Sequence, residues 1–454
     1  MSKNILGIDL GTSSVKVLLR LGNGQIIKSK AGYREKTLHG FLSAIKEAVS
    51  KIDISCTDAI GLSSQVGTYI INDEHIIGWN SPAGRKELNV IKKKYPKELF
   101  IKEIAMPHPD IISYPIPRLM YIQSELSNIT SICQPKDFLC KVMTGNFVTD
   151  KYSMRGLAHT QSGTYSDFFL KETGIKHDVL PEIVRPDEII GLTNDICECI
   201  TGIPKGIPVF AGLNDFFSSL KGMGIEKSGD MFDITGTSEH IGMLCDSLCA
   251  DTPLVSGAYF DKFIHYGVTA SSGASLDFGL REFGFDEITL EESLKRNPPI
   301  FTPYVNGERA PIYSSDARGV FFGINSDCTK KDMAYSVLEG VAFSIYHIFE
   351  NMNAEPCGDI KVSGGASGNN LLCKIKAELF GRKIYTLSED DTSALGAIQM
   401  AASGFGIKID NPVADCIIPD GKYREILLKR FNIYKNLYKS LEYEFKELSS
   451  IRKD

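Results

Sequence analysis

Two carboxylates stand before two turns of the same type. Ile8-Asp9-Leu10-Gly11-Thr12-Ser13-Ser14 opens the chain, and Asp233-Ile234-Thr235-Gly236-Thr237-Ser238 repeats its pattern 224 residues later (233 minus 9). Each copy joins an apolar run, an Asp, a Gly-Thr-Ser turn and a second apolar run. The second runs are Val15-Lys16-Val17-Leu18-Leu19 and His240-Ile241-Gly242-Met243-Leu244. Turns rich in Gly, Thr and Ser leave backbone N–H groups unpaired and let a backbone approach a ligand closely, so they suit phosphate. One Gly-Thr-Ser is more often an ordinary hairpin turn. Two copies, each behind an Asp, favour a polyphosphate met by both turns and a metal met by carboxylate. That is the outline of a two-domain ATP-using enzyme.

Two further segments carry chemistry. Val209-Phe210-Ala211-Gly212-Leu213-Asn214-Asp215 reads as a strand running into an Asp at a helix start. A carboxylate there is well placed to take a proton from a hydroxyl, although capping the helix would explain it alone. Ser363-Gly364-Gly365-Ala366-Ser367-Gly368-Asn369-Asn370 lies between a strand and a helix. Its bare backbone suits a flat adenine or ribose, and Asn369 is a good N-cap. No Gly-x4-Gly-Lys-Ser/Thr occurs, and no dinucleotide-binding glycine fingerprint follows a first strand.

The elements that must position these residues follow from periodicity. Residues 5–28 read as an antiparallel meander with turns at Gly11-Thr12-Ser13 and Gly22-Asn23-Gly24. A helix is predicted over 38–52 from Leu38, Phe41, Leu42, Ile45 and Val49, followed by a buried strand over 59–63. The same order returns after Asp230: strands at 231–234, 241–244 and 263–267, then a long helix over 331–352. Strand 360–363, helix 369–380, strand 383–386 and helix 392–402 follow. The chain reads as duplicated, 1–228 and 229–454, with an α/β core in each half. A final amphipathic helix over 424–448 carries Leu427, Phe431, Tyr434, Leu437, Tyr438 and Leu441 in a stripe suited to packing.

Bulk composition narrows the classes. With 454 residues, two or more domains are expected. A net charge of −6 gives no global basic surface for nucleic acid. No run of eighteen apolar residues predicts a membrane span, and no signal peptide is evident at the N-terminus. The eleven cysteines lack paired zinc spacing and read as reduced thiols of a cytoplasmic protein. The oligomeric state stays open, a homodimer included.

Taken in order, these segments resemble the FGGY family of carbohydrate kinases, within the actin-like ATPase superfamily. The resemblance rests on Gly7-Ile8-Asp9-Leu10-Gly11-Thr12-Ser13-Ser14-Val15-Lys16 and on Gly212-Leu213-Asn214-Asp215 with Gly222-Met223-Gly224. It continues through Pro303 to Pro311, Ala317 to Gly323, Gly364-Gly365-Ala366 with Asn369, and Ser393-Ala394-Leu395-Gly396-Ala397. Lys136-Asp137-Phe138-Leu139 and Thr144-Gly145 with Thr149-Asp150 also fit. The resemblance implies an α/β fold of two duplicated actin/hexokinase-like (ribonuclease H-like) domains with a cleft between them, and ATP-dependent phosphorylation of a sugar or polyol hydroxyl. It implies Asp215 as base, Asp9 holding Mg²⁺ through water, and Thr12, Ser13, Gly236 and Thr237 on ATP phosphates. It places Gly323, Gly365 and Asn369 at the nucleotide end, with Asp233 fixing its strand.

The sugar side departs from the family's best-known pattern. Xylulose kinases carry Ser-Gly-Gln-Met-His-Gly at a strand end; this chain has Ser63-Ser64-Gln65-Val66-Gly67-Thr68. Gln65 is kept and the His is missing. The Asn-Gln-Arg-Glu of glycerol kinases is not matched either. Family members then show Trp, an acid and Arg in close succession. Here Trp79 and Arg85 remain with no acid between them. Trp79, the single tryptophan, suits stacking on a sugar face or core packing equally. Gln65, Val66, Trp79, Arg85 and Asp215 are the expected acceptor contacts. The expected acceptor is a ketopentose (xylulose- or ribulose-like) or ketoheptose, then gluconate or a polyol. A non-kinase actin-like ATPase and a degenerate sugar sensor are the competing readings.

Overall fold

The computed structural model describes residues 2–107, 109, 111–352 and 358–451. The chain divides into two α/β units. The first holds Met1–Gly224, Gly257–Asp261 and Asp391–Asn411; the second holds Ile225–Ser256, Lys262–Asp390 and Pro412–Asp454.

In the first unit the strand Ile5–Leu10 is central. It pairs antiparallel with Ser14–Arg20, which pairs antiparallel with Ile26–Gly32, the predicted meander. On its other side it pairs parallel with Ala59–Ser64, in a register that sets Asp9 opposite Ser63. The sheet continues through Pro208–Phe210 to Ile189–Leu192, and Leu213–Asn214 also pairs with Ala59–Ser64. Ile5–Leu10 is buried along its whole length, as a strand covered on both faces must be. One face packs on helix Leu38–Val49 through Phe41, Ile45 and Val49. The other packs on helix Thr392–Gly404, whose Ala394, Leu395 and Ile398 cluster with Ile5 and Leu18.

That second face depends on missing side chains. A Cβ on Gly7 would lie 2.4 Å from the Ala394 carbonyl oxygen, and one on Gly61 2.0 Å from that of Ala397. On helix Asp215–Gly222, Gly222 makes the same approach to Thr392. The helix at 392–404 thus rests on backbone, closer than any side chain would permit.

The second unit repeats the plan. Strand Met231–Thr235 pairs antiparallel with Glu239–Cys245 and parallel with Ile360–Gly364. The sheet extends from Glu239–Cys245 to Lys262–Val268 on one side, and from Ile360–Gly364 to Ile384–Leu387 and Val413–Ile417 on the other. In each unit, then, an Asp-bearing strand is followed by a turn, an antiparallel partner and a parallel neighbour. Helix Lys330–Glu350 is the core helix, with Leu338, Val341, Ala342 and Ile345 fully buried. Its N-terminus is closed by a capping box between Thr329 and Asp332.

The C-terminal helix, Arg424–Ile451, docks on this core. Leu427, Phe431, Tyr434 and Leu437 are buried, with Tyr438 and Leu441 packed alongside. Tyr304 and Tyr434 share a hydrogen bond of 2.6 Å between hydroxyls. Arg430 Nε and Nη2 each donate to Glu339 at 2.7 Å inside the core. Burial pushes the Glu339 carboxyl up, and Arg430 opposes it. Removing one member strands a buried charge. Arg430→Met should therefore cost about 3–5 kcal/mol, read from the denaturant midpoint, whereas pairing it with Glu339→Leu should recover most of the loss. A double variant as unstable as the single would contradict this account.

Candidate active site

Asp9 sits near the C-terminal end of its strand, just before the Gly11-Thr12-Ser13 turn, of which Thr12 and Ser13 are exposed. Its side chain is buried, yet both carboxylate oxygens are met. Ser63 Oγ donates to Oδ1 at 2.9 Å, and Ser393 Oγ donates to Oδ2 at 2.6 Å. Ser63 comes from the parallel strand, Ser393 from the first turn of the helix resting on the glycine seat. The turn is closed by Gly11 N–H donating to the Ser14 carbonyl, and Tyr33 Oη donates to the Gly11 carbonyl at 2.8 Å.

Asp215 is the first residue of helix Asp215–Gly222. The cap belongs to its neighbour. Asn214 Oδ1 accepts the Phe217 N–H at 3.1 Å, and the Asn214 amide donates to the Tyr152 carbonyl. Gly212 makes the preceding bend possible at φ +71°, where a Cβ would strike the Leu62 carbonyl at 1.8 Å. Capping thus does not account for Asp215. Its half-buried carboxylate accepts the Phe216 N–H at 2.8 Å and a backbone bond from Val66. Burial and then the charge of Asp9 push its carboxyl up to about 7, against those hydrogen bonds. Burial raises the Asp9 carboxyl too, and its charge in turn raises Asp215, so the pair is a donor set that a divalent cation would neutralise. Asp9 retains lone pairs beyond its two serine bonds, so the residues fit a metal held through water.

The loop that reaches Asp215 is itself anchored. Gln65 N–H donates to the Leu10 carbonyl at 2.9 Å, and Gly67 N–H donates to Gln134 Oε1 at 2.9 Å. Gln65 is buried and Val66 half-buried. Beneath them Lys136 is buried between Asp137 and Asp150, at 2.9 and 3.2 Å. Trp79 is half-buried, and its backbone N–H donates to Thr68 Oγ1 at 3.1 Å. Arg85 starts the helix Arg85–Lys94 with its side chain exposed, and no contact recorded among the described residues joins it to Asp215.

In the second unit Gly236 and Thr237 form an exposed turn against the start of helix Ser272–Phe283. Gly273 N–H donates to the Thr237 carbonyl at 3.1 Å. The Gly365 loop is tied to the same strand end: Gly365 N–H donates to the Thr235 carbonyl at 3.2 Å, and Ala366 N–H to Thr235 Oγ1 at 2.9 Å. Gly365 is exposed with open space beside it. Asn369 caps helix Asn370–Phe380 through Leu372 N–H. Gly236, Thr237 and Gly365 are thereby gathered at one strand end. Gly323 is exposed, directly after the short strand Val320–Phe322.

Asp233 is not at the surface of its turn. It is buried and receives Lys376 Nζ at 2.6 Å; the same ammonium donates to Glu239, which also accepts Ser272 Oγ. Burial, and next Glu239, hold the Asp233 carboxyl well above the usual range. Asp233 thus braces its strand from inside. Glu308 is likewise internal, accepting Ala270 N–H, Arg309 N–H and Ser344 Oγ.

Comparison with known proteins decides the family. The model of the FGGY carbohydrate kinase N-terminal domain matches residues 4–222, and that of the C-terminal domain matches 233–405. The chain belongs to the FGGY family of carbohydrate kinases. It is 25% identical over 507 residues to a xylulose kinase of Bacillus subtilis, covering all of both chains. It is 25% identical over 513 residues to a gluconokinase of Bacillus licheniformis, covering all of this chain and 99% of that one. The crystal structure of a ligand-bound xylulose kinase from Lactobacillus acidophilus superposes with a TM-score of 0.85 at 22% identity, covering 98% of this chain and all of that one. A gluconate kinase from the same organism matches with a TM-score of 0.85 at 21% identity, over 99% and 100% of the chains. The kinase is therefore a phosphotransferase acting on a sugar hydroxyl, with ATP as the family's co-substrate. Its fold is the two-domain α/β fold of these structures. No described helix is long and apolar enough to cross a membrane.

The sequence alone gives no individual contact to Ser63, Ser393, Lys376 or Glu239, although the two serines lie within segments that carry the family resemblance. Ser63 follows from strand register once Asp9 is placed. Ser393 lies 384 residues from Asp9, and no local signal links them. The raised Asp215 carboxyl is directly measurable. A ¹³C-carboxyl titration of the kinase without nucleotide should give a midpoint for Asp215 near 7. Asp9→Asn removes a repelling charge and should lower that midpoint. An Asp215 midpoint in the ordinary carboxylate range in the parent protein would refute the electrostatic coupling.

Proposed function

We propose that the kinase transfers the γ-phosphoryl group of ATP to a hydroxyl of a ketose, with Asp215 as the base that takes the hydroxyl proton. The observation that carries this reading is Asp215 itself. It is relieved of capping by Asn214, partly open, and poised near neutrality by burial and Asp9. A base works best when its pKa lies close to the working pH.

The remaining roles are assigned on the same reading. Gln65, the Val66 backbone, Trp79 and Arg85 contact the acceptor, within residues 1–228. Thr12, Ser13, Gly236 and Thr237 contact ATP phosphates, and Gly323, Gly365 and Asn369 the nucleoside, within 229–454 for all but the first turn. Asp9 holds Mg²⁺ through water; when bound, the ion neutralises charge on the transferring phosphates. Ser63 and Ser393 fix the Asp9 carboxylate, and the Val66 and Phe216 N–H groups aim that of Asp215. Phosphoryl transfer asks for positioning and charge neutralisation rather than covalent help, which suits residues fixed by backbone bonds.

Relatives named xylulose kinase and gluconokinase align at equal identity, so a ketopentose or ketoheptose and gluconate are the acceptors to compare. The loop Gln65-Val66-Gly67 and the stretch Trp79 to Arg85 lack the His and the acid of the xylulose pattern. Selection among acceptors is assigned to them.

ATP consumption measured over D-xylulose, D-ribulose, D-sedoheptulose, D-gluconate and glycerol should respond most to a ketose. Turnover independent of every sugar would sink the reading. Asp215→Asn should lower kcat by about 10²–10⁴-fold, the usual scale for a general base, with ATP binding retained by calorimetry. A variant with parental kcat removes Asp215 from the chemistry. For the parent, kcat/KM for sugar should climb with pH through about 7, since the ionised carboxylate is the active form. Asp9→Asn should raise the Mg²⁺ concentration needed for half-maximal rate; an unchanged metal dependence would argue against Asp9 as the metal residue.

A further inference from the structure

Arg118 is fully buried in helix Pro115–Glu125, and among the described residues no carboxylate forms an ion pair with it. What it faces is backbone. Nη1 donates to the Ala83 carbonyl at 2.8 Å; Nη2 donates to those of Gly78, Trp79 and Ser81 at 3.0, 3.1 and 3.0 Å. Four carbonyls from six consecutive residues thus converge on one guanidinium. This stretch forms no regular helix or strand, so its carbonyls lack ladder partners; that of Gly78 also accepts the Ser81 N–H, and the guanidinium serves all four. A planar fork of donors can serve several carbonyls at fixed angles; a lysine ammonium, a point charge with three donors, cannot match that geometry. Burial disfavours the charge, yet the guanidinium stays protonated, because its ordinary value lies far above neutral pH. The loop is held close as well: a Cβ on Gly84 would lie 3.0 Å from the Pro117 carbonyl oxygen, at φ +88°.

We propose that Arg118 is the positioning residue for acceptor recognition, fixing the Gly78–Ala83 loop so that Trp79 is presented in one orientation to the sugar. This rests on the reading of Trp79 as an acceptor contact. Arg118 itself does not touch the sugar; it gathers the carbonyls on either side of Trp79, including that residue's own. Loosening the loop therefore weakens acceptor binding and leaves the nucleotide side alone.

Trp79 is the single tryptophan of the chain, so its emission reports the loop directly. The experiment uses full-length kinase with D-xylulose and with D-gluconate, on the parent, Arg118→Lys, Gly84→Ala and Trp79→Phe. Gly84→Ala disturbs the loop without touching the buried charge, and guards against Arg118→Lys failing to fold. In Arg118→Lys and Gly84→Ala, Trp79 emission should shift to the red and acrylamide quenching should increase. KM for the sugar should rise about tenfold, the scale of one lost charged hydrogen bond, while KM for ATP stays at the parental value. Combining Arg118→Lys with Trp79→Phe should add little to Trp79→Phe alone, because both act through one contact. In a further variant, Arg118→Ala, added guanidinium should restore part of the lost sugar affinity, and no rescue would count against the proposal. Changed emission with an unchanged sugar KM would overturn the proposal and leave the kinase reading intact. Unchanged emission in a folded variant would overturn it as well. A parent enzyme without sugar-dependent turnover would overturn it together with the function it rests on.

Discussion

A carboxylate taken out of water must be met by donors, and Asp9 is met by two serines that only the packed fold can supply. Ser63 arrives because Ile5–Leu10 and Ala59–Ser64 run parallel in one register. Ser393 arrives because Thr392–Gly404 rests directly on the backbone at Gly7 and Gly61. A methyl group at either glycine would push the helix away and strip Asp9 of a partner. The charge of Asp9 then acts on Asp215, which burial already lifts. Sheet register, helix seating and the state of the second carboxylate therefore form one chain of dependence.

The two units solve the same problem with different chemistry. In each, an Asp follows an apolar run on a strand that leads to a Gly-Thr-Ser turn. Asp9 is satisfied by neutral hydroxyls and keeps its influence on a second acid. Asp233 is absorbed by Lys376 and Glu239 in a buried ionic cluster. Losing a single member of such a buried cluster costs more than the intact cluster adds in net stability. The duplicated pattern thus places one Asp beside a second acid and uses the other as a brace, while Gly236 and Thr237 stay exposed in the turn that follows.

Much of the fold is legible in the residues. The meander at the N-terminus, the long core helix and the C-terminal stripe each follow from period and turn chemistry, and the structure has them at Ile5–Gly32, Lys330–Glu350 and Arg424–Ile451. The placement of helix Thr392–Gly404 with the first unit is not legible. Its composition, rich in Ala and small residues, says only that it packs closely, not against what. Arg118 is hidden for a similar reason: a lone Arg on a mostly apolar helix reads as a surface residue until its four carbonyls are seen. Asp215 illustrates the middle case, since Asn-Asp before a helix leaves open which residue caps, and the Asn214 bond to Phe217 resolves it.

The sequence by itself determined the element types, the duplicated turns and the family to which their order belongs. These are local properties, set by side-chain period and by residues such as Gly and Asn that tolerate few backbone alternatives. The tertiary structure alone decided which acids share an environment, which serines satisfy Asp9 and which guanidinium holds the Trp79 loop. Hydrogen bonding and desolvation act over a few ångströms in space, whereas Asp9 and Ser393 stand 384 residues apart along the chain.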